Sequence, residues 1–202
     1  FEHAKRLSEA FTVVMCDLDK FKSVNDTYGH QAGDAVLVQL AALLQKEARE
    51  IDHVGRYGGE EFMLILPGTV LDAGVTFAER VRHAIAEHTF EFPGGAIRRT
   101  GSFGVAGWPH PRVGGCDALV KAADDALYVA KETGRNKVVR FDGPEFNAHT
   151  QPDDGEQRDL DVTDRVLGGG THGAAHGDRR GGGTERGDHG APGADHGAPA
   201  RA

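Results

Sequence analysis

The chain has 202 residues and a formal net charge of −8, with 31 acidic and 23 basic side chains. This balance argues against a broad nucleic-acid-binding surface, because neutralising phosphates requires clustered Lys and Arg. The two cysteines, Cys16 and Cys116, are too few for a disulfide framework or a four-thiolate zinc site. No apolar run approaches the roughly 20 residues that span a bilayer, and no signal peptide opens the chain. We therefore expect a cytoplasmic protein with no membrane segment and no nucleic-acid partner.

The amino-acid composition changes near Asn147. No Phe, Tyr or Trp follows Asn147, no Val, Ile, Leu or Met follows Leu167, and the sequence DHGAP occurs twice in the tail. Such a segment cannot bury enough apolar surface to offset the entropy of ordering its backbone. We predict a folded domain over residues 1–143 and a disordered tail rich in Gly, Ala, His and Asp over residues 144–202.

Hydrophobic periodicity predicts the elements of the folded domain in chain order. The β-branched apolar run at residues 11–16 predicts a buried strand, and an apolar stripe from Asp34 to Ala48 predicts a helix. Two short strands separated by a Gly-Gly-Glu-Glu tip predict a hairpin. The remaining elements are a helix, a strand, a helix that begins at an Asp117 cap and stops at Gly134, and a last strand. The two hairpin strands are predicted at residues 53–57 and 62–66. The later helix, strand, helix and strand are predicted at residues 77–85, 97–106, 117–134 and 137–141. This order predicts an α+β or α/β fold, a sheet with helices packed on it.

Two carboxylates, Asp17 and Asp19, follow the first predicted strand. Strand side chains alternate, so both are expected on one face, where they would repel each other unless a cation lies between them. A hard divalent ion such as Mg²⁺ suits them, and it also takes phosphate oxygens from a bound substrate. The alternative is an ordinary polar turn at the point where a strand reaches solvent.

The hairpin tip carries the second group of polar residues. Gly58 and Gly59 allow a ligand to approach the backbone closely, and Glu60 and Glu61 follow them. If the hairpin lies beside the first strand, Glu60 and Asp17 would form a carboxylate metal site of the kind that serves phosphoryl or nucleotidyl transfer. The alternative is a tight turn with charged residues in water.

Three blocks in this order resemble one known family. The segment RYGGEEF at residues 56–62 resembles the hallmark motif of the GGDEF domain, the diguanylate cyclase of bacterial signalling, in its GGEEF variant. The segments at residues 17–34 and 123–136 are similar to the other two blocks of that family. The resemblance covers about residues 1–142 and implies a domain truncated at its N-terminus. It also implies an α+β fold, an α/β sandwich like the nucleotide cyclases and polymerase palms, with a central, mostly antiparallel sheet flanked by helices.

The resemblance implies a reaction in which two GTP molecules form cyclic di-GMP and two pyrophosphates at a homodimer interface. Asp17, the Leu18 carbonyl and Glu60 would bind Mg²⁺, and Glu60 would help to deprotonate the 3′-hydroxyl. The matching positions imply that substrate is bound by Lys22, Asn25, His30, Asp34, Gly58, Gly59, Lys131 and Arg135. Within that set, Asn25 and Asp34 would read guanine, while the Lys and Arg side chains would hold the triphosphate. Two of these residues have structural alternatives: Asp34 as a helix N-cap and Lys131 as a partner of a helix C-terminus.

Arg49 and Asp52 resemble the RxxD motif of an inhibitory site, in which Arg80 would supply a second guanidinium. Arg suits guanine and phosphate acceptors, and Asp suits the guanine amino group. An Arg–Asp pair three residues apart also forms ordinary ion pairs at helix ends.

Two other functions stay open. The chain could be a non-catalytic module that binds cyclic di-GMP through Arg49, Asp52 and Arg80. It could also be a truncated chain that folds poorly and does neither.

Overall fold

The computed structural model describes residues 5, 6 and 9–150. In chain order, the elements are β1 (Phe11–Leu18), α1 (Phe21–Tyr28), α2 (His30–Glu47), β2 (His53–Gly58), β3 (Glu61–Pro67), α3 (Leu71–Glu87), β4 (Thr89–Phe92), β5 (Gly95–Arg98), β6 (Gly101–Trp108), α4 (Cys116–Glu132), β7 (Val138–Arg140) and α5 (Pro144–Thr150). The predicted tail lies outside the described residues except for 144–150, which form α5. The predicted α+β class is confirmed.

The main sheet has the order β2-β3-β1-β6-β7. Its neighbouring strands are antiparallel except for β6 and β7, which are parallel. A separate two-stranded sheet pairs β4 with β5. The prediction of a mostly antiparallel central sheet flanked by helices is confirmed.

Strand β1 lies at the centre of the sheet, and all eight of its residues are buried. Its side chains alternate between two hydrophobic cores, as the period of two in a strand requires. Val14, Cys16 and Leu18 belong to one core with residues of α1, α2 and α3. Val13 and Met15 belong to the other core with residues of α4. The sheet is therefore covered by helices on both faces.

Sequence periodicity missed three local features. Helix α1 was not predicted, because Phe21 and Val24 are its only buried residues and the rest of the segment is polar. Helix α2 begins at His30, not at Asp34, so Asp34 is inside the helix and the alternative of an N-cap is wrong. The strand predicted at residues 97–106 is two strands, because the chain leaves the β4–β5 hairpin before it enters the main sheet.

The ends of two elements also differ from the prediction. Helix α4 begins after a Gly115 cap, so Asp117 lies in its first turn and is not the cap. Gly134 follows the end of α4 with a φ of +123°, as predicted for a C-terminal stop. None of the helices between residues 9 and 150 has the length and apolar character that crossing a bilayer requires.

Gly104 of β6 is the point of closest approach between the sheet and α4. A Cβ at this position would overlap backbone atoms of Ala123 and Leu127. Because backbone cannot move aside like a flexible side chain, Gly104→Ala should destabilise the fold by about 3 kcal/mol. Urea unfolding measures this loss. Gly55→Ala is the matched control, since a Cβ on this strand glycine meets no atom within 4 Å, and equal losses in both variants would contradict the explanation.

Candidate active site

Asp17 and Lys131 form the centre of the candidate site. Asp17 lies near the end of β1 and is only 6% exposed. Lys131 projects from the last turn of α4, and its Nζ lies 2.7 Å from Asp17 Oδ2 and 3.4 Å from Glu61 Oε1. The sequence predicted that Asp17 and Glu60 would meet around a divalent ion. The cation beside Asp17 in this structure is an ammonium group.

Burial and neighbouring charges act on Asp17 in opposite directions. Burial raises the pKa of Asp17, Lys131 lowers it through a hydrogen bond and its charge, and Glu60 and Glu61 raise it. The resulting pKa is about 6, against an ordinary value of 3.8. For Lys131, burial alone would lower the pKa, but the hydrogen bond and charge of Asp17 outweigh it and raise the pKa. Both groups are thus ionised at neutral pH. Burial and the neighbouring negative charges make the ionised form of Asp17 unfavourable.

The β2–β3 hairpin brings its tip beside Asp17. The register of β1 and β3 pairs Asp17 with Glu61, so Glu60 lies one residue away at the tip. Gly59 has a φ of +42°, and a Cβ at Gly58 or Gly59 would meet nothing within 4 Å, so the tip is open to an approaching group. This arrangement supports the predicted meeting of Glu60 with Asp17.

Asp19, the second carboxylate of the first motif, has a different role. Thr100 Oγ1 and Ser102 Oγ donate hydrogen bonds of 2.6 Å to its two oxygens, and the backbone N–H of Asn136 donates a third at 3.1 Å. Asp19 is 4% exposed. It joins the end of β1 to β6 and to the turn after α4, so we interpret it as a structural residue.

Four of the residues predicted to bind the substrate lie on α1 and α2. Lys22, His30 and Asp34 are exposed, and Asn25 is half-buried. A Cβ at Gly33 would overlap the Asn25 amide, so the absence of a side chain at Gly33 gives that amide its place between the helices.

Asp34 lines a cleft between α2 and the β2–β3 hairpin. The cleft has a volume of about 460 Å³, and Leu37, Arg56 and Phe62 contribute to its walls. Asp34 thus offers a carboxylate at the edge of a partly apolar cavity, as a site for a planar base requires.

Two of the three residues of the predicted inhibitory site line another cleft, and the third, Asp52, is buried behind Arg49. Arg49 and Arg80 line a cavity of about 440 Å³ together with Phe77. Arg49 donates from Nε and Nη2 to the two oxygens of Asp52, at 3.2 and 2.9 Å, and Asp52 is 5% exposed. Arg80 bonds to Glu47 and lies over the Phe77 ring, 5.1 Å from its centroid. Asp52 therefore fixes the orientation of the Arg49 guanidinium, whose Nε and Nη2 are both bonded within the protein.

The remaining predicted residue, Arg135, is separate from both clefts. It is exposed, has a φ of +64° and follows α4 by three residues. It lines a third cleft, of about 410 Å³, with Asp19 and Lys20.

Sequence reasoning did not identify two residues of the site. Glu61 contacts Lys131, and the strand pairing of Glu61 with Asp17 could be found only once the register of β1 and β3 was known. Arg56 donates from Nε to the Gly59 carbonyl at 2.8 Å and so holds the hairpin tip. The position of Arg56 three residues before Gly59 was the feature of the sequence from which this hydrogen bond could have been predicted.

The donors present at the site fit a hard divalent ion. In residues 9–150, no three His, Cys, Asp or Glu side chains are grouped closely enough to enclose a metal by themselves. Mg²⁺ usually binds one or two carboxylates and completes its shell with water and substrate phosphates. Asp17 already attracts a cation, Glu60 is close enough to act on its pKa, and Leu18 adds a backbone carbonyl between Asp17 and Asp19.

Comparison with known proteins decides the family. A family model described as "Diguanylate cyclase, GGDEF domain" matches residues 1–137. The chain belongs to the GGDEF domain family. Diguanylate cyclase A of Treponema denticola is 40% identical over 131 residues, and diguanylate cyclase DgcM of Escherichia coli K12 is 44% identical over 133 residues. These matches cover 65% and 66% of this chain but only 35% and 31% of the relatives, so the chain spans about a third of their length.

Solved GGDEF domains have the same fold. The active GGEEF domain of a Vibrio cholerae diguanylate cyclase matches with a TM-score of 0.64 and 34% identity, over 71% of this chain and 90% of that one. The GGDEF domain of Caulobacter crescentus DgcB, solved in complex with c-di-GMP, matches with a TM-score of 0.65 and 30% identity, over 70% and 84%. The recognition of a GGDEF domain from three sequence blocks is confirmed.

The strained charge on Asp17 leads to a prediction about stability. The pKa of Asp17 is higher in the folded chain than its ordinary value, so its protonation stabilises the fold, and that contribution is lost as pH rises through about 6. Asp17→Asn should therefore raise the melting temperature of the metal-free protein at pH 8, by roughly 2–6 °C. The gain should shrink as pH falls from 6 towards 4.

Thermal melts at pH 8 and pH 5 measure this effect. Asp26→Asn is the matched control, because Asp26 is exposed on α1. A lower melting temperature for Asp17→Asn at pH 8 would mean that the ion pair with Lys131 outweighs the cost of burial.

Proposed function

We propose that this GGDEF domain is a diguanylate cyclase that condenses two GTP molecules into cyclic di-GMP and releases two pyrophosphates. One observation carries the proposal: a buried Asp17 with its pKa raised to about 6, paired with Lys131 and next to Glu60 on an open hairpin tip. Neighbouring carboxylates at a buried position cost stability, whereas one or two carboxylates are what Mg²⁺ uses when it binds substrate phosphates. The identities of 40% and 44% to proteins named diguanylate cyclases support it.

Asp17, the Leu18 carbonyl and Glu60 would hold Mg²⁺, which, when bound, neutralises phosphate charge and lowers the pKa of an attacking hydroxyl. Glu60 would accept the proton of the 3′-hydroxyl, because it lies at the exposed tip. Lys131, now paired with Asp17, would supply a positive charge to the triphosphate. Lys22 in the first turn of α1 and Arg135 in the α4–β7 connection are exposed cations that would bind the outer phosphates.

Guanine would enter the cleft that Asp34 lines. A carboxylate accepts from the ring N–H and amino group of guanine, and the Asn25 amide offers a donor and an acceptor nearby. Adenine has the opposite pattern on that edge, so it should be rejected. His30 would contact the nucleotide from the start of α2, and Gly58 and Gly59 would let the phosphates approach the hairpin backbone.

The reaction requires a homodimer, because one domain presents one GTP and the second 3′-hydroxyl must come from a partner. The rate per molecule of protein should therefore rise with protein concentration. We also propose a cytoplasmic location, where GTP is available.

Glu60→Gln tests the mechanism. The amide cannot accept the hydroxyl proton, so the formation of cyclic di-GMP from GTP and Mg²⁺ should fall roughly 100-fold or more. Product is measured by chromatography and folding by circular dichroism. Glu87→Gln is the matched control, an exposed glutamate in the last turn of α3. Full turnover by Glu60→Gln would remove this residue from the mechanism, and no product from the unaltered chain at any concentration would refute the cyclase.

We further propose that the cleft lined by Arg49 and Arg80, with Asp52 paired to Arg49, binds cyclic di-GMP as an inhibitor. Two guanidinium groups, one of them oriented by Asp52, and an aromatic ring line the cleft, a set that suits guanine and phosphate groups. The same cleft favours the second candidate function, a non-catalytic module that binds cyclic di-GMP. Tight calorimetric binding of cyclic di-GMP without turnover of GTP would select that alternative.

Arg80→Gln is the variant of choice for this site. Arg49 is unsuitable, because its loss would leave the buried Asp52 carboxylate without its guanidinium partner. Loss of the exposed Arg80 guanidinium should weaken inhibition by cyclic di-GMP about tenfold. Inhibition curves measure this change, with Arg112→Gln as the control for the loss of an exposed Arg elsewhere. Unchanged inhibition would show that the product binds at another place.

A further inference from the structure

A strongly basic cleft lies beside the candidate active site. It has a volume of about 410 Å³ and lies between the β1–α1 turn, the β5–β6 connection and the turn after α4. Four of its lining side chains are cations: Lys20, Arg98, Arg99 and Arg135. Arg135 alone belongs to the predicted triphosphate residues, so three of these charges have no role in the function proposed above.

The charge of this cleft is not neutralised by the surrounding protein. Within residues 9–150, none of the four cations forms an ion pair with a carboxylate. The one acidic residue in the walls, Asp19, already accepts three hydrogen bonds from other groups. Four close positive charges repel one another, and a bound anion relieves that repulsion.

Arg99 is held in position by neighbouring atoms. Its Nη2 donates to Ser23 Oγ on α1 at 3.2 Å, and its Nη1 donates to the Arg98 carbonyl at 3.0 Å. Its Nε is buried and has no hydrogen-bond partner. Buried donors are rarely left without an acceptor in a folded protein, and such exceptions occur at functional positions. The guanidinium is therefore fixed in the wall of the cleft, where it contributes its positive charge.

The position of the cleft indicates which anion it takes. Lys20 is three residues from Asp17 in the β1–α1 turn, and Arg135 is four residues from Lys131. The cavity suits a small polyanion, and the net charge of −8 disfavours binding of an extended one. A di- or triphosphate group that begins at Lys131 would reach the cleft through Arg135.

We propose that Lys20, Arg98 and Arg99 extend the phosphate site into an anion subsite that binds the terminal phosphates of a nucleoside triphosphate or the pyrophosphate released from it. The anion subsite rests on the proposed function, because that function sets the direction in which the triphosphate extends from Lys131. The three residues act by charge and by positioning, and they take no part in proton transfer.

Binding of inorganic pyrophosphate to the full chain without metal tests the subsite. The double variant Lys20→Gln/Arg98→Gln removes two exposed charges, and its affinity in calorimetry should fall about tenfold or more. The matched control Lys46→Gln/Arg112→Gln removes two exposed charges from other surfaces and should retain the affinity of the unaltered chain. Arg99→Gln is a second variant, and its affinity for pyrophosphate should fall by the same factor. Its result counts when its circular dichroism spectrum shows the native fold. Equal affinity in the Lys20/Arg98 variant, or an equal loss in the control, would overturn the proposal.

Kinetics distinguish the two sources of the anion. If the subsite holds the terminal phosphates of GTP, the Lys20/Arg98 variant should show a KM for GTP raised about tenfold with kcat retained. If it holds released pyrophosphate, KM should stay unchanged while inhibition by added pyrophosphate weakens by a similar factor. Either result supports the subsite. If neither the KM for GTP nor the inhibition by pyrophosphate changes, the proposal is overturned.

The two proposals can fail separately. If the unaltered chain forms no cyclic di-GMP, while the Lys20/Arg98 variant binds pyrophosphate more weakly than the unaltered chain does, the cyclase is refuted and the anion subsite is retained. An active cyclase whose pyrophosphate affinity is insensitive to Lys20 and Arg98 would refute the subsite and retain the cyclase.

Discussion

The pairing of a buried carboxylate with an ammonium group at the end of the central strand is the interaction on which the candidate site depends. Asp17 is nearly without solvent, and Glu60 and Glu61 add negative charge around it. Lys131 offsets part of that cost, but the pKa of Asp17 still lies near 6. A hydrophobic residue at this position would stabilise the sheet more simply. The cluster therefore costs stability, which agrees with the cation-binding role proposed for it above.

Three distant segments reach this point because of the topology of the sheet. The antiparallel pairing of β1 and β3 sets Glu61 opposite Asp17 and leaves Glu60 on the adjoining tip. Helix α4 must lie close to the sheet for Lys131 to reach β1, and Gly104 permits that approach because it has no side chain. The hairpin tip and the helix end are thus positioned by backbone packing, and a change far from the carboxylates could alter the distances between them.

The sequence predicted most of this arrangement where hydrophobic periodicity was strong. The apolar run of β1, the Gly-Gly tip and the stripe of α4 were enough to place strand, hairpin and helix. Helix α1 was missed because Asn, Asp, Ser and Thr dilute its two buried residues, and the β4–β5 hairpin was missed because each strand has only four residues. The meeting of Arg49, Asp52 and Arg80 came from family resemblance, since no local pattern relates α3 to the loop before β2. The contact of Glu61 with Lys131 required the register, a property of two strands together.

Asp17 and Asp19 show why residue type and spacing do not fix a role. Both carboxylates are buried at the end of the same strand, two residues apart, yet Asp19 accepts hydrogen bonds from three neutral donors while Asp17 pairs with the Lys131 ammonium. The bond from the Asn136 backbone to Asp19 ties the turn after α4 to β1, and that turn holds Arg135 and Asn136 at positive φ. Asp19 therefore contributes to the site indirectly, because it fixes the backbone that presents Arg135 to the basic cleft. The hydrogen-bonded carboxylate of Asp19 supports the backbone of this region. The carboxylate of Asp17, whose burial Lys131 offsets only in part, is the one proposed to bind the ligand.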